Sequence, residues 1–465
     1  MHKAIFRALP IAAMALWHGQ ALAETFQAEG ASLDVRFDGN HYPGVIQLPL
    51  EDEDNDINLG SGEEPKEFCL EQENKAICLT LMPGEPQYIS VAYGDAVYPL
   101  KLNYRGPEAI FDADYRKRHA GKVRVEVPPA YELVNVAIAL TPYAREKHGL
   151  AYPSPYLEAV RHRFADLADH AFVLKLDAAM REDQGDYHLL KMNGAAFELA
   201  GDDTLLDSSV YSSIGWGENI LRPMRADMQD FAKAADFSRF LADFAPLYDQ
   251  QIAFLEEEVD IDGMLGWLGR EFPNVKPYDT VRIVFSPLVG YNQSLARFEY
   301  DGFRELQPHV NFPYLSEYDR RVPERVRPFL QSLILFTELN HGFINPESEQ
   351  FGAQIAAQMP DRTQWASEIA ANSYESSQAV FNEMVNWALF SVRAQDELAP
   401  DDAALMARII SDTMGNGRGF VRFKPFQDRF LSLRADQEEG ETVAQLIPIL
   451  IGSLPEIAAE ADAAK

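Results

Sequence analysis

The sequence predicts an α+β chain: a β-rich N-terminal region followed by a mainly helical region that carries a small sheet. Three observations lead there. Residues 24–127 hold short segments such as LDVRF, GVIQLPL, AICLTL and KVRVEVP, broken by Gly, Asn, Pro and acidic runs such as EDEDNDIN, the pattern of short strands joined by turns. At Pro128-Pro129 the pattern changes, and Leu133, Val136, Ala137 and Leu140 then recur at helical spacing. Finally, 465 residues with 47% hydrophobic content can fill a large core and exceed what one ordinary domain holds.

In chain order, MHKAIFR and the apolar run ALPIAAMALW lead to Ala21-Leu22-Ala23. A basic start, an apolar middle and a small-residue cleavage site identify residues 1–23 as an expected secretory signal peptide. The remainder then divides into a β-rich region, 24–127, and a mainly helical domain, 128–465. The expected location is exported, periplasmic or extracellular. In EFCLEQENKAICLTL two apolar runs flank a polar segment, so a hairpin folded about Glu73-Asn74 sets Cys69 opposite Cys78. An oxidising compartment would close that pair as a disulfide; the alternative is two buried thiols. No histidine lies nearby to suggest a metal site.

Beyond residue 128, PYLEAVRHRFADLADHAFVLKL and DMQDFAKAADFSRFLADFAPLYDQQIAFLEEE show apolar residues three and four apart, as amphipathic helices do. VRIVFSPLV predicts a strand that Pro287 ends. ERVRPFLQSLILFTELNHGFI predicts a helix stopping at Asn345-Pro346. More helices follow, interrupted by the glycine-rich turn GNGRGF. The formal net charge is −31, and the expected signal removes Lys3 and Arg7 but no acid. Without a basic stripe, such a chain is not expected to bind nucleic acid. No later apolar run is long enough to cross a bilayer, so no transmembrane segment is expected in the mature protein. No Gly-x-Ser-x-Gly elbow is present.

The chemically suggestive stretch is FTELNHGFINP, residues 336–346. On a helix Thr337, Glu338 and His341 share one side. A His-Glu-x-x-His helix uses its two histidines to hold zinc and its glutamate as general base. Here Thr337, a poor zinc donor, takes the first histidine's place. Glu383, in FNEMVNWALF, lies on a later predicted helix.

Five stretches together resemble a known family: VPPAYELVNVAIALT, PYLEAVRHRFADLADHAFV, VRIVFSPLVGY, FTELNHGFINP, and NEMVNWALF followed by GRGFVRF. The chain is similar to exported bacterial proteins of unknown function that carry a zincin-like helix followed by Asn-Pro and that resemble gluzincin metallopeptidases. That resemblance implies a zincin-like helical domain, with Glu338 as the catalytic base, His341 and Glu383 on the metal, and zinc as the cofactor. Thr337 departs from the pattern. Three arrangements would complete the ligand set: the Asn340 carbonyl, Glu338 itself as a ligand, or His309 folding in. Asn345 is implied as a support one turn past His341.

Tyr374 is a candidate for stabilising an oxyanion, and Arg418 for anchoring a substrate carboxylate or a site glutamate. His162, His170 and His188 are expected in surface or capping roles, with His170 at the end of a helix. Two functional readings follow. One is an exported metal-dependent hydrolase of peptides or other amides. The other is an inactive relative whose cleft binds a peptide or a cell-envelope component.

Overall fold

The alternation in SLDVRF buries Leu33 and Val35 while Ser32 is exposed, as in a strand with one face on a core. A computed structural model describes residues 25–50, 56–85, 87–147, 149–215, 217–290, 293–316, 319–374 and 376–463. The expected signal segment, 1–23, lies outside the described residues. The chain divides into two compact units between Glu108 and Ala109.

The first unit contains eight described strands: β1 (Thr25–Gln27), β2 (Ser32–Phe37), β3 (Asn40–Gln47), β4 (Asp56–Ser61), β5 (Lys66–Gln72), β6 (Lys75–Leu81), β7 (Gln87–Tyr93) and β8 (Ala96–Arg105). They form two four-stranded sheets, ordered β1-β7-β8-β4 and β3-β2-β5-β6. One apolar cluster draws on both sheets, with Leu33, Val35, Phe68 and Leu70 from one and Phe26, Ile89, Val91, Leu100 and Leu102 from the other. The expected hairpin is present. It turns at Glu73, whose φ is 52°, and its register pairs Cys69 with Cys78, which form a disulfide.

The second unit is mainly helical around a small mixed sheet. Its strands are β9 (Lys122–Glu126), β10 (Phe197–Leu199), β11 (Leu205–Asp207), β12 (Thr280–Ser286), β13 (Ser294–Tyr300) and β14 (Phe303–Asn311). β10 and β11 pair with each other; the main sheet is ordered β13-β14-β12-β9. KVRVEVP therefore supplies a strand to this unit, because β9 pairs in parallel with β12. Every residue of β12 is buried, which suits a parallel strand covered on both faces. β13 runs antiparallel to β14 and forms an edge.

Helix Leu333–Glu349 packs on β13 and β14 and against helix Ser377–Glu397. Phe336, Leu339 and Ile344 join Ile283, Leu306, Val380 and Met384 in one core. The helix does not stop at Asn345-Pro346 as expected, and the reason is local. Pro346 has no N–H to offer the Gly342 carbonyl four residues back, and the Tyr278 hydroxyl donates to that carbonyl instead, at 2.8 Å. The expected run upstream is also interrupted, since helix Arg327–Gln331 ends at Ser332.

The other long apolar stretches break in the same manner. Helices Arg225–Ala234 and Phe237–Glu257 are separated at Asp236, which takes a left-handed φ of 46°. His170 opens helix Ala171–Glu182 rather than closing the one before it, with Nδ1 accepting from the Phe172 N–H. Among the described residues no single helix is long and apolar enough to cross a membrane; the bent pair Val443–Gly452 and Leu454–Asp462 passes on length and composition. Val443, Ile447, Leu450 and Ile451 of that pair are buried in the second unit's core.

Candidate functional site

Helix Leu333–Glu349 is buried over most of its length, and the buried residues include polar ones: Thr337, Glu338, Asn340, Glu347 and Ser348. Glu338 and His341 lie one turn apart on it, and Glu383 comes from the adjacent helix Ser377–Glu397. Thr337, Glu338, His341, Asn345, Tyr374, Glu383 and Arg418 all line one cavity of ≈ 640 Å³. The structure thus brings those seven together, whereas Asn340 and His309, the other ligand candidates, do not line the cavity. His188, Arg297 and Trp387 line it as well.

Glu383 is the most heavily coordinated of these groups. Arg418 Nη2 lies 2.7 Å from its Oε1, and Trp387 Nε1 donates to the same oxygen at 3.0 Å. The Tyr374 hydroxyl accepts from Arg418 Nη2 at 2.7 Å and hydrogen-bonds Glu383. Burial by itself would raise the Glu383 carboxyl, but Arg418 and His341 beside it hold it below the usual value. Arg418 is therefore the partner of a site glutamate, one of the two roles considered for it.

Glu338 has the opposite character. It is 9% exposed, hydrogen-bonds no described residue, and burial pushes its carboxyl up to about 7. His341, Lys191 and Arg418 counteract that rise, while Glu383 adds to it. Lys191 is fully buried and is brought down to about 7 by the same loss of water.

His341 Nε2 lies 3.7 Å from Glu383 Oε2. Its ring also meets the Asn386 side-chain amide, with Nδ2 at 2.9 Å from Nε2, and Asn345 Oδ1 at 3.4 Å from Nδ1. Asn386 was not anticipated, although its position three residues past Glu383 puts both on one helix face. Trp387, four past Glu383, shares that face.

His188 is not a surface or capping residue. It faces the cavity, its Nδ1 is 2.7 Å from Ser294 Oγ, and burial brings it down to about 3. His162 is exposed.

Of the donors that would complete a zinc site, Thr337, Asn340 and His309 are committed elsewhere. Thr337 turns its hydroxyl back to donate to the Ile334 carbonyl at 2.9 Å. Asn340 points elsewhere, donating to the Asn386 carbonyl at 2.9 Å. His309 is fully buried in β14, bonded to Gln307, and is not among the residues lining the cavity. Glu383 already neutralises a guanidinium. Among the described residues, the one trio of His, Cys, Asp or Glu donors gathered within 4.8 Å is Glu67, Cys69 and Cys78. Its two sulfurs are joined to each other, so that group is no metal site. Comparison of the chain with protein-family models, curated proteins and solved structures returned no match.

Proposed function

We propose that the second unit is a zincin-like scaffold whose cleft binds a peptide without a metal and without hydrolysing it. The observation that carries this reading is the Arg418–Glu383 pair, with Arg418 Nη2 2.7 Å from the carboxylate that the family resemblance would assign to zinc. A fixed protein cation supplies the charge that a metal would otherwise bring to Glu383. The peptide part of the reading is supported by β13, an edge strand whose Ser294, Leu295 and Arg297 line the cavity. Such an edge offers backbone groups to an extended chain. Export is supported by the N-terminal signal pattern and by the Cys69–Cys78 disulfide.

The hydrolase reading draws on one specific feature, the Glu338 carboxyl raised to about 7 beside His341, a value suited to a general base near neutrality. Metal analysis of the purified protein, paired with a peptide-cleavage assay, separates the two. Metal-free protein that leaves peptides intact is the expected result. Equimolar zinc that is lost in His341→Ala, together with peptide cleavage, would overturn the binding reading.

A further inference from the structure

We infer that the cleft captures the free C-terminal carboxylate of a peptide, with Arg418 as its anchor; this rests on reading the cleft as a peptide site. Arg418 is firmly held. Its Nη2 bonds Glu383 and Tyr374, and its guanidinium lies over the Trp387 ring with Cζ 4.8 Å from the centroid. The backbone around it is tied as well. The Arg418 N–H donates to the Thr413 carbonyl at 2.9 Å, and the Gly419 carbonyl accepts from the Ser367 N–H at 2.7 Å. Gly419 has a φ of 78°, and a Cβ there would lie 2.5 Å from Ser367 Oγ, so this close approach requires glycine.

The guanidinium has five N–H groups in a planar fork. Those on Nε and Nη1 make no hydrogen bond to a described residue, and the side chain is 35% exposed in the cavity. An immobilised guanidinium with such an open edge matches the two oxygens of a carboxylate. Because it is already ordered, it loses little freedom on binding. Arg297, from β13, brings a second cation to the same cavity, with the exposed Glu349 4.0 Å from its Nη2, and Glu338 brings a hydrogen-bond acceptor with no side-chain hydrogen bond to a described residue. The last residue of a peptide carries a carboxylate and an amide N–H on one α-carbon. Those are the acceptor and donor that Arg418, Arg297 and Glu338 call for, whereas an amidated end has no charge for either arginine.

Two libraries of N-acetylated random tetrapeptides, one ending in the free acid and the other in the amide, test this on the immobilised full chain, with retained peptides identified by mass spectrometry. The acid library is expected to be retained about tenfold or more over the amide library. Arg418→Lys keeps a cation beside Glu383 but loses the planar fork, and is expected to abolish the preference while the thermal midpoint is held. Arg297→Gln, at a half-exposed site outside the core, is expected to weaken the preference and stands as the deciding variant should Arg418→Lys fail to fold. Equal retention of both libraries overturns the anchor and leaves the peptide cleft standing. Retention of neither overturns the cleft reading and the anchor with it. A preference that survives the substitutions also overturns the anchor.

Discussion

Glu338 sits where burial opposes its charge and no described side chain hydrogen-bonds it, so it reports directly on the electrostatics of the cleft. Its carboxyl is raised to about 7 from an ordinary 4.5. Between those values the folded chain keeps a proton that the unfolded chain has lost. Stability at this site therefore falls as pH rises from about 4.5 to about 7, and is level on either side. Glu338→Gln is expected to raise stability at pH 8 by about 1–3 kcal/mol and to have little effect at pH 4. The gain is limited because Arg418, still charged at pH 8, loses a favourable neighbour. Urea denaturation at several pH values checks this; an equal effect at both ends of the range would refute it. At the same scale, Thr337→His alone is expected to bind no stoichiometric zinc, since Arg418 still occupies Glu383. Thr337→His with Arg418→Ala is expected to bind it, because the substitution leaves a buried carboxylate that needs a cation, a loss of about 3–5 kcal/mol until the metal is supplied. Zinc content and the zinc-dependent rise in melting temperature distinguish the two variants.

Helix Leu333–Glu349 shows how an element survives a residue that should end it. Tyr278 satisfies the Gly342 carbonyl that Pro346 leaves open. Tyr278→Phe is expected to destabilise the protein by about 1–3 kcal/mol, since the buried carbonyl then has no donor. Gly342 has a second role. A Cβ there would lie 2.7 Å from Leu306 Cδ1 on β14, so Gly342→Ala is expected to cost about 1–3 kcal/mol by overpacking. Chemical denaturation measures both; a neutral Gly342→Ala would mean that the helix and sheet have room to separate. Neither contact was legible in the sequence, because each joins segments far apart in the chain. Similarly, periodicity revealed the helices around residues 225–257 but not the break at Asp236, where a single left-handed residue redirects the chain.

For the molecule as a whole, two units with separate cores give separable stabilities. The disulfide closes a short loop, with a sequence separation of 9, entirely inside the first unit. Its reduction is expected to lower that unit's stability by about 2–3 kcal/mol while leaving the second unit unchanged. Scanning calorimetry with and without reductant checks this, and an equal shift in both units would argue against separate folding. Glu383 was singled out by the family resemblance, and Tyr374 and Arg418 were candidates without an argument from period, whereas the strand and helix regions, the Cys69–Cys78 pairing and the shared helix side of Thr337, Glu338 and His341 were legible from period, turn residues and spacing. These are local properties, readable because strands repeat every two residues and helices every three to four. What those side chains do to one another was decided only by tertiary structure. Arg418 reaches Glu383 across the sequence, Asn386 meets His341, His188 turns into the cavity and Glu338 makes no side-chain hydrogen bond to a described residue. Burial and charge pairing depend on distances in space, and spacing along a single helix cannot fix them.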